Sequence, residues 1–90
     1  MALTREQKDL RGRAKVLDVS VQIGKNGITD TVIEQINRQL DSRELVKIKA
    51  LKSAVESSNI KEIVEKVVLK TDSALIDSIG FTFVIHRKKR

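Results

Sequence analysis

The chain has 90 residues and a formal net charge of +6, because 18 Lys and Arg outnumber 12 Asp and Glu. The absence of cysteine excludes a disulfide framework and thiol catalysis. With a single histidine, a zinc site or a Ser–His–Asp triad is disfavoured. The length fits one domain over residues 1–90, and since no apolar run reaches ~18 residues, we expect a soluble, cytoplasmic non-enzyme without leader, metal or cofactor.

The hydrophobic pattern of the first half alternates between the helical and the strand period. Thr4 and Gln7 have the spacing of a capping box, and Leu10 begins an apolar helical face. Apolar and polar residues alternate in two short segments, as in half-buried strands. The predicted elements are, in order, a helix after Thr4, a strand at Val19–Ile23, a turn at Gly24–Gly27, a helix capped by Thr29 and a strand at Leu45–Ala50.

The second half predicts one more helix and two more strands. Lys52–Ser58 is expected to be a loop, and Asn59 with Glu62 three residues later marks the start of the third helix. Gly80 indicates a tight connection between the last two strands. These strands are predicted at Ala74–Ile79 and Phe81–Arg87.

The element order is therefore α-β-α-β-α-β-β, which is typical of a single α/β domain. Helical crossovers favour parallel pairing of the early strands, and the tight turn favours an antiparallel last pair. We expect a mixed four-stranded sheet packed with three helices.

The turn Gly24–Gly27 is a candidate phosphate-binding loop. Both glycines can adopt positive φ, and Asn26 tolerates the left-handed region better than most residues. The next helix offers unpaired N–H groups, and Lys25 adds a positive charge. Against this, Asp30 would compete for the same amides, and two glycines often serve only a turn, so both interpretations stay open. Neither a Walker A loop nor a dinucleotide-binding fingerprint is present.

The charge is unevenly distributed along the chain. Residues 1–52 carry 11 basic and 7 acidic side chains, residues 53–80 carry 3 and 5, and residues 81–90 carry 4 and none. Cations thus concentrate in the first half and in the basic tail, residues 87–90. We expect the segment from Ala54 to Gly80 to be a scaffold that faces away from any polyanion.

The segments Leu10–Ala14, Val21–Thr29 and Glu44–Lys49, followed by Gly80 and Val84–Arg87, closely resemble the CRM domain family (chloroplast RNA splicing and ribosome maturation), which includes YhbY-like proteins. The resemblance implies an RNA-binding domain related to the C-terminal domain of bacterial translation initiation factor three, with a KH-like Gly-x-x-Gly loop. Stand-alone members are associated with precursors of the large ribosomal subunit, which implies ribosomal RNA as the partner. The family commonly has Tyr where this chain has His86.

We expect the loop, a basic stripe on the first helix and two strand lysines to form one continuous RNA contact surface. A charged stripe taken alone is more often a solvated face than a binding surface. The basic tail is equally typical of a solubilising end and of an RNA-contacting arm. Phe81 and Phe83 are the only aromatic residues, and Phe83 is expected in the core because it lies on the same strand face as Ile85. Few rings are then left to stack on bases, so we expect contacts to phosphate, sugar and RNA shape. The predicted contact residues are Gly24, Lys25, Asn26, Gly27, Lys8, Arg11, Arg13, Lys15, Lys47, Lys49, Arg87 and Lys88.

Two alternatives to ribosomal RNA binding remain open from the sequence. The first is a protein-interaction module that docks on an acidic partner. The second is binding to introns or transfer RNA. A hydrolase or nuclease is disfavoured because carboxylate pairs such as Glu62 and Glu65 have ordinary helix-surface spacing, and His86 has no identifiable partner group.

Overall fold

A computed structural model describes residues 4–88 as four helices and one four-stranded sheet. The caps predicted at Thr4, Thr29 and Asn59 are confirmed, since each side-chain oxygen accepts a backbone N–H from the residue three positions on. The elements are α1 (Arg5–Lys15), β1 (Val21–Ile23), α2 (Asp30–Arg43), β2 (Leu45–Ala50), α3 (Lys52–Ser57), α4 (Ile60–Thr71), β3 (Ala74–Ile79) and β4 (Thr82–His86).

The sheet has the strand order β1-β2-β4-β3. The strands β1 and β2 run parallel, and β4 pairs antiparallel with both β2 and β3. The mixed four-stranded sheet predicted from the crossovers and the tight turn is therefore confirmed. Ile79 and Thr82 are register partners, so the two residues between them form a tight turn that joins β3 to β4. Gly80 is the first residue of this turn and has φ +59°.

Three predicted boundaries are wrong. Lys52–Ser58 is not a loop, because Lys52–Ser57 forms α3, which raises the number of helices from three to four. No side chain caps α3; Ala54, only 3% exposed, anchors it to the core instead. The strands β1 and β4 are also shorter than expected, because residues 19, 20, 81 and 87 lie outside them.

The main core lies between the sheet and the three helices α2, α3 and α4. Alternate residues of each central strand point into it, so that Val46 and Ile48 are buried there while Lys47 and Lys49 face the other way. Phe83 is 1% exposed in this core, which confirms its predicted position. The buried members are Val21, Ile23, Ile36, Leu40, Val46, Ile48, Ala50, Ala54, Ile63, Val64, Val67, Phe83 and Ile85.

Within residues 4–88, α1 is the only helix on the opposite face of the sheet, and Leu17 just after it packs there too. Leu10 and Ala14 of this helix are buried against Leu45 and Val84, as their predicted apolar face requires. A β-bulge at Ile76, between the pairs Leu75–Ile85 and Asp77–Val84, places Ile76 against this smaller cluster. A single helix of 11 residues leaves part of the sheet face open.

Candidate nucleic-acid interface

The Gly24–Gly27 turn is closed by its own backbone. The Gly27 N–H donates to the Gly24 carbonyl oxygen over 2.9 Å, and Gly27 has φ +71°, the left-handed region that favours glycine. Gly24 and Asn26 have no positive φ, so the left-handed conformation expected for them is not used. A Cβ at Gly24 would meet Leu51 Cδ1 at 3.8 Å, an ordinary contact. The turn therefore needs only one of its two glycines for backbone reasons.

The tip of this turn presents polar groups to solvent. Lys25 and Asn26 are both exposed, and across residues 4–88 their backbone N–H groups have no hydrogen-bond partner. The base of the turn is fixed, because the Leu51 N–H donates to the Ile23 carbonyl oxygen over 2.8 Å. Two free amides on a fixed base are suited to hold an anionic oxygen.

Two lysines from α4 lie beside the turn. Lys66 and Lys70 are exposed, are one helical turn apart, and line with Lys25 a hollow of about 350 Å³. Residues 54–80 were expected to face away from any polyanion, yet α4 places two lysines beside the candidate loop. We call this site the loop hollow; its lining is Lys25, Asn26, Gly27, Ile28, Ala54, Ser58, Ile63, Lys66 and Lys70.

A second basic hollow lies on the opposite face of the sheet, beside the C-terminal end of α1. Lys15, Lys47 and Lys49 line it, around a volume of about 410 Å³. We call this site the α1 groove; its lining is Ala14, Lys15, Val19, Lys47, Lys49, Asp77, Ile79, Thr82, Phe83 and Val84. Half of the predicted contact residues line a hollow, and they are divided between the two. The loop hollow takes Lys25, Asn26 and Gly27, and the α1 groove takes Lys15, Lys47 and Lys49.

The other residues of the predicted stripe lie on the outer surface of α1. Lys8 and Arg13 are exposed and line neither hollow. The Arg11 guanidinium lies 3.6 Å from the Asp77 carboxylate, which ties α1 to β3. These side chains add positive charge to the surface of α1 without lining the α1 groove.

Arg87 has a structural position that the sequence did not predict. Its guanidinium donates to the side-chain and backbone oxygens of Asn37, the Thr71 carbonyl oxygen and Asp41 Oδ1, over 2.7–3.2 Å. Only 18% of this side chain is exposed. Since Arg87 joins α2 to the end of α4, we leave it out of the interface. Lys88 is exposed, and the remaining tail residues, 89 and 90, lie outside the described residues.

The part of the chain described here, residues 4–88, contains no group of three His, Asp or Glu side chains that could hold a metal ion. None of its helices has the length and apolar character needed to cross a membrane; the longest, α2, has 14 residues.

A sequence model of the CRS1 / YhbY (CRM) domain matches residues 3–87. The chain belongs to the CRM domain family. The resemblance seen in the glycine turn and its flanking segments is thereby confirmed over nearly the whole length of this CRM domain.

Two curated relatives carry names that state a binding partner. The chain is 32% identical to "Probable RNA-binding protein YqeI" of Bacillus subtilis, with 100% of this chain and 92% of the relative covered. It is 31% identical to "RNA-binding protein" of Haemophilus influenzae, with 93% and 83% covered.

Among solved structures, the solution structure of hypothetical protein SAV1595 from Staphylococcus aureus is similar at TM-score 0.78 and 34% identity. The match covers 100% of this chain and 92% of that one. That protein is described as a candidate RNA-binding protein. The α/β fold with its mixed sheet is thus shared with a solved structure.

Proposed function

We propose that this CRM domain binds RNA through the loop hollow, without altering the RNA covalently. We infer that its target is large-subunit ribosomal RNA or a pre-ribosomal particle in the cytoplasm, where it acts in assembly or as an accessory protein. The observation that carries the proposal is the exposed Gly24–Gly27 turn with two free amides, flanked by lysines from two separate elements.

The electrostatics of the loop hollow favour a polyanion. Lys25, Lys66 and Lys70 form no ion pair with a carboxylate of residues 4–88. Like charges gathered around one hollow repel each other, and a bound phosphate chain relieves that repulsion. Amides at the turn fix the position of one phosphate, and the lysines contact its neighbours as point charges. This arrangement grips the RNA backbone and leaves the sequence unread.

Two further observations support RNA as the ligand. First, the names of the relatives from Bacillus and Haemophilus describe them as a probable RNA-binding protein and an RNA-binding protein. The match covers 92% and 83% of their lengths. Second, Phe83 is buried, so this CRM domain lacks the paired exposed rings by which RRM domains stack bases. Backbone and shape contacts fit that composition, and they predict an affinity that falls steeply with salt.

The direct test reverses charge in the loop hollow. The double variant Lys25→Glu, Lys66→Glu should bind a labelled fragment of large-subunit ribosomal RNA at least about tenfold more weakly in fluorescence anisotropy. The slope of log affinity against log salt should also become shallower, because fewer counterions are released.

The matched control is Lys61→Glu, on the same helix but outside the loop hollow. It should change affinity by less than about twofold and leave the salt slope unchanged. Both proteins should unfold at the temperature of the wild type, since all three lysines are exposed. Equal affinity of the double variant and the wild type would refute the role of the loop hollow.

The identity of the RNA needs a separate experiment. Crosslinking in cells, followed by sequencing of the attached RNA, should give reads concentrated in large-subunit ribosomal RNA. Reads in introns or transfer RNA would redirect the assignment while keeping RNA as the ligand. Retention on an acidic protein after nuclease treatment would favour the protein-interaction alternative instead.

A further inference from the structure

The loop hollow leaves the second group of lysines without a role. Lys47 and Lys49 alternate along β2 with Val46 and Ile48, which are buried in the main core. Their side chains therefore lie on the sheet face opposite that core, whereas the loop hollow is lined by core residues such as Ile63. One phosphate group cannot contact both sets of lysines at once.

The α1 groove carries a net positive charge. Lys15, Lys47 and Lys49 line it, and none of them forms an ion pair with a carboxylate of residues 4–88. The groove also contains one carboxylate, that of Asp77, but the Arg11 guanidinium lies 3.6 Å from it and offsets its charge. The groove thus favours an anionic ligand.

The same groove also has apolar surface that the core does not need. Ile79 is 73% exposed and Val19 is 39% exposed, and both line the groove. Ile79 and Thr82 are register partners joined by the two-residue turn Gly80–Phe81. Phe81, 48% exposed, therefore lies in the turn between these two lining residues, although it is not itself part of the lining. A ligand with both anionic and flat apolar parts matches this lining.

We propose that the α1 groove is a second RNA-binding site, which takes an unpaired, single-stranded segment. The phosphates contact Lys15, Lys47 and Lys49, and a base packs against Ile79 and the Phe81 ring. The inference rests on the proposed function in one respect only, namely that RNA is the partner.

The exposed apolar lining of the groove favours a single strand with unpaired bases over a duplex. A volume of about 410 Å³ lies within the ~300–1,000 Å³ typical of sites for small organic molecules. It can hold a base and its sugar, but the bases of a stem are stacked and paired, and cannot enter it. A stem would still contact the exposed loop hollow through its phosphates.

An amide-resolved NMR titration with a short oligouridylate, which forms no stem, separates the two sites. In the wild type we expect amide shifts at residues 24–27 and, independently, at residues 47–49 and 79–83. In the loop variant Lys25→Glu, Lys66→Glu, the second set should still shift while the first does not. In the groove variant Lys15→Glu, Lys49→Glu, the pattern should reverse.

Two further variants address the base contact and the charge. Phe81→Ala should weaken oligouridylate binding in the groove about fivefold or more, because base stacking is lost. The control Lys61→Glu, Arg43→Glu removes two exposed cations outside both sites and should leave both sets of shifts intact.

The outcomes distinguish the second site from the first. Shifts at 24–27 without shifts at 47–49 and 79–83 would overturn the α1 groove and leave the loop hollow standing. Groove shifts that vanish in the loop variant would overturn its independence. Groove shifts alone would support the second site while removing the loop hollow, and no shifts in either set would refute both.

Discussion

The two faces of the sheet differ in how completely helices cover them. Three helices close the face that carries Phe83 and Ile48, and residues there reach 0–1% exposure. On the other face α1 buries Leu10 and Ala14, and strand side chains beside it stay accessible. A fully covered face has no place for unpaired cations, because burying a charge without a partner is costly. Strand lysines are therefore compatible only with the partly covered face.

The two basic hollows differ in the same way. The loop hollow combines backbone amides of a fixed turn with lysines from another element, so its geometry is set by the fold. The α1 groove depends on long side chains and on apolar positions left uncovered by a short helix. We expect the loop hollow to position a phosphate, and the α1 groove to adapt to whatever single strand is nearby.

The largest effect on stability should come from substitutions on the sheet face that α2, α3 and α4 cover. Phe83→Ala should lower the free energy of unfolding by about 3–5 kcal/mol, because a large, 1% exposed side chain leaves a cavity. Leu10→Ala, on the α1 face, should cost about 2 kcal/mol, since the smaller cluster can relax toward solvent. Urea denaturation of both variants measures the difference. Equal losses would show that α1 is as integral to the core as the other helices.

The next largest effect on stability concerns the hydrogen bonds by which Arg87 joins α2 to the end of α4. Arg87→Ala removes four hydrogen bonds from a mostly buried guanidinium and should lower stability by about 2 kcal/mol. RNA affinity of the folded variant should stay within about twofold of wild type, because Arg87 lies in neither hollow. Lys88→Ala, next along the chain, is the control and should leave stability unchanged. A large loss of affinity without loss of stability would return Arg87 to the interface.

Local signals in the sequence were sufficient for most elements of the fold. Thr4, Thr29 and Asn59 each have side chains that compete for backbone N–H groups, so the helix starts could be predicted from nearest neighbours. The helix α3 could not, because it has six residues and no side-chain cap, and tertiary burial of Ala54 holds it. The bulge at Ile76 likewise depends on strand register, which no local pattern fixes.

The site was predicted in part for the same reason. The glycine turn is contiguous in sequence, and its lysine lies within it. Lys66 and Lys70 are four residues apart on a helix, which signals only that they share a face; that this face lies beside the turn is a property of the packing. Arg87 was assigned to the basic tail because its hydrogen-bond partners lie 16–50 positions away in the sequence.

The two glycines of the loop should differ in their tolerance to substitution. Gly27→Ala should cost about 1 kcal/mol of stability, because alanine at φ +71° brings its Cβ against the backbone. Gly24→Ala should leave stability unchanged or raise it by up to about 1 kcal/mol. The new Cβ meets Leu51 at an ordinary distance, φ is not positive, and alanine restricts the unfolded chain. Thermal unfolding of the pair measures this. Comparable losses would mean that Gly24 also has a backbone role that its conformation does not reveal.

The smallest expected effect concerns the ion pair beside the α1 groove. Arg11→Gln should change stability by less than about 0.5 kcal/mol, because the guanidinium is 46% exposed and lies 3.6 Å from Asp77. It should nevertheless weaken oligouridylate binding to the groove, since Asp77 is then left to repel phosphate. Asp77→Asn should have the opposite effect and strengthen that binding about two- to threefold, while binding at residues 24–27 stays constant. If both variants changed oligouridylate binding equally at the two sites, the opposite faces of the sheet would be coupled. The loop hollow and the α1 groove could then not be distinguished as a site fixed by the fold and an adaptable one.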